Sequence, residues 1–122
     1  MKFKALTPVL WTTQLHETIE FYTTILGFTL EELNQERGLC NLTKDKISIM
    51  FAVPNQKIPF DGAKFTGSLY IIIEEVDTLW AKLQDKATIF YPIENFEYGM
   101  REFAIIDNNG YILQFGKEIE EE

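Results

Sequence analysis

Cysteine and histidine are nearly missing from this chain, which has one of each, Cys40 and His16, in 122 residues. A lone cysteine excludes an internal disulfide and any zinc site built on a cysteine cluster. His16 falls in the first turn of an expected helix, on the side away from Leu15 and Ile19. It reads there as an exposed residue, and without it no Ser/His or Cys/His pair in workable register is left for nucleophilic catalysis. Long apolar runs are missing too: nowhere do about 18 apolar residues follow one another, and residues 1–10 lack a stretch of signal-peptide length. No membrane partner is expected, and the expected residence is cytoplasmic. Positive charge is scarce, with 11 Lys and Arg against 19 Asp and Glu and a net charge of −8. Half of that excess comes from the acidic tail, 118–122, and the mildly acidic body that remains lacks the basic stripe a nucleic-acid partner requires.

What is present is ordinary globular composition, 46% hydrophobic and 25% charged, with aromatics at 14%. A chain of this length fits one domain with a real core. An internal repeat organises it. TPVLWTTQLHETIEFYTTILGF opens with a short strand pattern, then Leu15, Ile19, Tyr22 and Leu26 recur at helical spacing, and Gly27 stands where a left-handed C-terminal cap falls. SLYIIIEEVDTLWAKLQDK repeats the plan with Leu69–Ile73, then Val76, Trp80 and Leu83. At a common offset Thr7 matches Ser68 and Leu15 matches Val76. Each helix is followed by a strand, Thr29–Leu33 and Thr88–Tyr91, and then by a hairpin.

The pattern predicts an α+β fold of two tandem βαβββ modules. They cover about 5–53 and 68–117, joined by a linker, 54–67, that carries Pro54, Pro59, Gly62 and Gly67. A hairpin tip at Lys44 and Asp45 puts Cys40, Leu42, Ile47, Ile49 and Phe51 under the first helix and Leu39, Asn41, Ser48 and Met50 on the other face. A tip at Asn108 and Asn109 sets Gln114 opposite Phe103. Arg101, Phe103, Ile105, Ile112 and Gln114 then share one face, and Ala104, Ile106, Leu113 and Phe115 lie beneath the second helix. Arg101, not its neighbour Glu102, is then the charged group on the Gln114 side, able to fork onto a ligand carboxylate or phosphate or to close a structural ion pair. Cys40 reads as a small core residue.

In DNNGYILQFG, a single uncharged polar residue, Gln114, interrupts a run of strand formers. It is open to three readings: a solvated edge position, a hydrogen-bonding group on a pocket floor, or the place of a metal-binding carboxylate. Trp11, Tyr70, Phe103, Phe60, Phe65, Phe96 and Tyr98 supply aromatic walls for a small-molecule site or, equally, core and interface material.

TPVLWTTQLHETIEFYTTILGF and YGMREFAIIDNNGYILQFG, in this order and separated by the repeat, resemble the opening and closing signatures of the vicinal oxygen chelate superfamily. That superfamily includes glyoxalase I, extradiol dioxygenases and bleomycin resistance proteins. The resemblance implies two βαβββ modules curling into an open cleft with the helices outside. In metal-using members four inward side chains, usually His and Glu, hold a divalent ion. The matching positions here are Thr7, Met50, Ser68 and Gln114, none of them a good ligand for a hard cation.

The resemblance therefore implies no metal, no other cofactor and no catalytic residue. It implies a homodimer of the bleomycin resistance type that binds an aromatic or cationic small molecule, as in antibiotic sequestration. Trp11, Met50, Tyr70, Arg101, Phe103 and Gln114 are the ligand-binding candidates. A divergent lyase, isomerase or dioxygenase-like enzyme and a protein-interaction module are the alternatives.

Overall fold

The computed structural model describes residues 1–54 and 60–120; Pro59 of the expected linker and Glu121 and Glu122 of the acidic tail lie outside the described residues. The chain packs as two compact units, Met1–Ala63 and Lys64–Glu122. Each carries one βαβββ module, so the fold is α+β with two four-stranded mixed sheets.

In the first unit β1 (Val9–Trp11) leads into α1 (Leu15–Glu20), and β2 (Thr29–Asn34), β3 (Leu39–Lys44) and β4 (Ile47–Ala52) follow. The sheet order is β1-β4-β3-β2, with β1 parallel to β4. Buried threonines fix the start of α1. The Gln14 N–H donates to Thr12 Oγ1 (2.9 Å), and Thr18 Oγ1 donates back to the Gln14 carbonyl (2.7 Å). The helical spacing predicts one continuous α-helix to Leu26, but the last turn, Phe21–Ile25, is π-helical. The widening falls where Thr23 Oγ1 donates to the Ile19 carbonyl (2.7 Å), a bond that competes with the backbone ladder. Gly27, at φ 78°, ends the helix as its position implies.

The β3–β4 hairpin pairs Lys44 with Ile47 across a tip at Asp45 and Lys46, one step beyond the expected one. The shift moves each partner by two residues, so the faces survive: Cys40, Leu42, Ile49 and Phe51 are buried with Leu10. Tyr22 of the π turn packs on them, its ring 5.0 Å from that of Phe51. The other face carries Val9, Trp11, Asn41, Ser48 and Met50.

The second unit repeats the plan with β5 (Leu69–Ile72), α2 (Val76–Leu83), β6 (Thr88–Asn95), β7 (Met100–Ile106) and β8 (Ile112–Glu118), in the sheet order β5-β8-β7-β6. Val9 pairs with Met50 in the first sheet and Tyr70 with Gln114 in the second, so the internal equivalence of Met50 and Gln114 is a fact of topology.

The β7–β8 register differs from the expected one. Asp107 pairs with Tyr111 around a three-residue loop, Asn108 to Gly110. Its carboxylate accepts from the Asn109 and Tyr111 N–H groups (2.8 and 2.9 Å), and Gly110 sits at φ 101°. A three-residue loop ending in a left-handed glycine shifts the pairing by one residue relative to a two-residue tip. Phe103 therefore pairs with Phe115, and Gln114 with Ala104. The β8 faces stand as expected while those of β7 exchange. Phe103, Ile105, Leu113 and Phe115 are buried on the α2 side, with the Trp80 ring 5.2 Å from Phe103. Glu102 and Ala104 join Gln114 on the face away from α2.

Candidate functional site

The face of the second sheet away from α2 gathers the polar chemistry of this unit around Glu102, a fully buried carboxylate. Three tyrosines converge on it from different elements. Tyr70 Oη, from β5, donates to Oε1 at 2.6 Å, and Tyr91, from β6, donates to Oε2, while the phenol of Tyr98, from the β6–β7 loop, stands close enough to feel the same carboxylate. Gln114 Nε2 donates to Tyr91 Oη (2.8 Å) and lies 3.4 Å from Glu102 Oε2, while Ser68 Oγ donates to Gln114 Oε1.

Two local irregularities build this convergence. Tyr70 and Glu102 are separated by β8, and the residue between them is Gly116, which pairs with Glu102. A Cβ there would stand 2.5 Å from Tyr70 Oη and 3.0 Å from its Cζ, so the absent side chain is the channel through which the ring crosses the sheet. On the other side, a register shift in β6 between Ile89 and Tyr91 turns Tyr91 over. Ile89 pairs with Ile105 on the helix side, and Tyr91 with Ala104 on the far side. Without that bulge the Tyr91 hydroxyl would point under α2.

The electrostatics follow from this wiring. Burial pushes the Glu102 pKa up, but the hydroxyls of Tyr70, Tyr91 and Tyr98 and the Gln114 amide outweigh it, holding the carboxyl below its ordinary value. Lost hydration and the adjacent carboxylate drive the Tyr70 phenol well above its usual range. Tyr98 is pushed up to about 12 by the same two causes. Tyr91 also reaches about 12, through burial and Glu102 against an opposing bond from Gln114. At neutral pH the cluster is one carboxylate ringed by protonated phenols. Phe96 extends it, stacked on Tyr98 (5.4 Å, 14°) and edge-on to Tyr91 (5.5 Å, 75°).

Of the six residues expected to line a site, Tyr70 and Gln114 meet in this cluster. Trp11 and Met50 lie on the corresponding face of the first sheet, Trp11 with its ring 6.2 Å from Phe60. The expected placement of Phe103 and Arg101 is corrected by the three-residue loop. Phe103 is core, and Arg101 points to the α2 side. There its Nε and Nη2 fork onto Asp77 (2.8 to 3.1 Å) and its Nη1 reaches Asn95 Oδ1 (3.0 Å), so of its two expected roles the structural ion pair is the one formed. That fork lowers the Asp77 pKa. Glu102 and Tyr91 were missed by sequence reasoning, Glu102 because the register was off by one and Tyr91 because the β6 bulge leaves no mark in the hydrophobic pattern. The in-strand glycine at 116 was the signal available. His16 is exposed and Cys40 buried, as read from the sequence.

The four positions that the resemblance matches to the ligands of metal-using members, Thr7, Met50, Ser68 and Gln114, fit a hard divalent cation poorly. Both ends of the Gln114 amide are engaged, by Ser68 and Tyr91, and Thr7 and Met50 offer a neutral hydroxyl and a soft thioether. Among the described residues no group of three His, Cys, Asp or Glu is arranged to hold a metal ion. None of their helices is long and apolar enough to cross a membrane.

The family model of the Glyoxalase/Bleomycin resistance protein/Dioxygenase superfamily matches residues 4–115, and the chain belongs to that superfamily. Solved structures agree in fold. A glyoxalase/bleomycin resistance protein/dioxygenase from Nocardioides matches with a TM-score of 0.76 at 18% identity, over 100% of this chain and 88% of the other. A putative glyoxalase family protein from Bacillus anthracis matches with 0.75 at 16%, over 97% and 99%. TioX from Micromonospora sp. ML1 matches with 0.73 at 17%, over 96% and 100%. No curated protein sequence matches the chain significantly.

Proposed function

We propose that this chain is a small-molecule-binding member of the superfamily that works without a metal, as a homodimer, and holds its ligand on the sheet faces turned away from the helices without transforming it. The observation that carries the reading is the Ser68–Gln114–Tyr91–Glu102 hydrogen-bond chain. Two positions corresponding to metal ligands are tied to each other and to a carboxylate already satisfied by tyrosines, so binding an ion there would break several bonds to gain two neutral oxygens. The protonation states favour binding over catalysis. A general base works best with a pKa near the working pH, whereas Glu102 is held low and its phenol partners high. The exposed apolar side chains of Tyr70 and Ile72 on the second sheet, and of Val9 and Trp11 on the first, suit an apolar ligand body or a second subunit.

Elemental analysis of the mildly purified protein tests the reading. The expected result is far less than one equivalent of Zn, Mn, Ni or Fe per chain; a value near one equivalent would overturn it.

A further inference from the structure

The hydrogen-bond polarity of the Glu102 cluster carries the proposed function further, to a ligand class. An ionised carboxylate only accepts, so Tyr70 and Tyr91 must each spend their single O–H proton on Glu102. Tyr91 Oη then accepts from the Gln114 amide nitrogen. This fixes the Gln114 orientation, since its carbonyl oxygen would otherwise face an oxygen with no proton left to give. Ser68 in turn donates to that carbonyl. The donors of Ser68, Tyr70, Tyr91 and Gln114 are thereby committed inward. Lone pairs remain outward on the phenol oxygens of Tyr70 and Tyr98, whose residues are 42% and 61% exposed, and on Ser68.

The charge is equally one-sided. Among the described residues no lysine or arginine pairs with Glu102, and the guanidinium of its chain neighbour Arg101 is spent on Asp77 on the opposite face. A buried carboxylate normally has a cationic partner; this one has only neutral donors, so its field reaches outward through the phenol oxygens. The stacked rings of Phe96 and Tyr98 stand beside it, and aromatic faces also attract cations.

We infer that the Glu102–Tyr70–Tyr91–Tyr98 cluster is a recognition site for an organic cation bearing N–H donors, an ammonium, amidinium or guanidinium on an aryl or apolar body, and that it rejects carboxylates and phosphates. This rests on the binding role proposed above. The cation bonds the outward phenol oxygens while its body lies along Phe96 and the exposed side of β5. An anion of the same shape meets the uncompensated like charge of Glu102.

Titration of the intact protein with benzamidinium, benzamide and benzoate, followed by the NMR signals of the tyrosine rings, tests the inference. Benzamidinium is expected to shift the Tyr70 and Tyr98 signals saturably at millimolar concentration, with benzoate inert and benzamide far weaker. Glu102→Gln should weaken benzamidinium by about tenfold, the scale for losing one charge partner. Tyr98→Phe, which keeps the ring at an exposed position and so does not endanger the fold, should weaken it by about threefold. Benzamide or benzoate binding as tightly as benzamidinium at the same signals would overturn the cation assignment and leave small-molecule binding intact. Silence from all three probes would overturn both. Unchanged affinity in Tyr98→Phe and Glu102→Gln would also defeat the assignment.

Discussion

Phe103 stands directly across the β7–β8 ladder from Phe115, their ring centroids 5.3 Å apart, and both are buried on the α2 side. Two phenylalanines in one core cluster should be comparably costly to remove. Phe103→Ala and Phe115→Ala are each expected to lose about 3–5 kcal/mol in denaturant melts. A loss several-fold smaller for Phe103→Ala would mean that the ring lies on the Gln114 face after all.

Gly116 is predicted to be intolerant of even one methyl group, because that carbon would occupy the path of the Tyr70 ring. Gly116→Ala should destabilise the wild-type background by about 1–3 kcal/mol, the range for overpacking, and should cost much less in a Tyr70→Ala background. Equal costs in both backgrounds would show that Tyr70 does not cross the sheet at this point.

Glu102 is predicted to make stability fall on acidification. Its folded pKa lies below the unfolded value, so its contribution is complete above the ordinary carboxylate range, near 4.3. It is lost as pH falls through the lower, folded value. Glu102→Gln, whose amide group clashes with at least one donating phenol, should lower stability at neutral pH by about 1–3 kcal/mol and flatten the acid limb of the stability curve. An acid limb of the same slope in both proteins would place the responsible carboxylate elsewhere.

Arg101 is expected to matter for α2 and not for the Glu102 face. Arg101→Ala should speed amide exchange in the first turn of α2, where Asp77 loses its fork, and leave the Tyr70 and Tyr98 ring signals in place. Shifts confined to those rings would instead return Arg101 to the ligand side.

The modular repeat was legible in the sequence because it rests on long-range periodicity: Leu15, Ile19 and Tyr22 against Val76, Trp80 and Leu83, each group following a strand. Faces were legible in the first hairpin, where the misplaced tip moved the pairing by an even number and buried Cys40 and Phe51 all the same. They were not legible in β7, where Glu102, Phe103, Ala104 and Ile105 are all buried and alternation carries no polarity signal. There the register depended on whether Asn-Asn-Gly closes a two-residue or a three-residue loop, and the left-handed Gly110 decides for three. Gln114 stands out as the odd residue of its strand, but its partner turns on that loop: Phe103 for two residues, Ala104 for three. Tyr91 depends on a bulge set by cross-strand pairing, which no local pattern in Thr88–Asn95 records.

The most direct measurement of whether this face works without a metal is paramagnetic. Titrating Mn²⁺ into labelled protein while following the Gln114 side-chain amide and the Tyr91 and Tyr98 ring signals asks the question at the residues concerned. With Gln114 held between Ser68 and Tyr91, these signals should broaden no more than those of exposed carboxylates such as Glu17. Selective loss of the Gln114 and Tyr91 signals at one equivalent of Mn²⁺ would place a metal at that face and contradict the account.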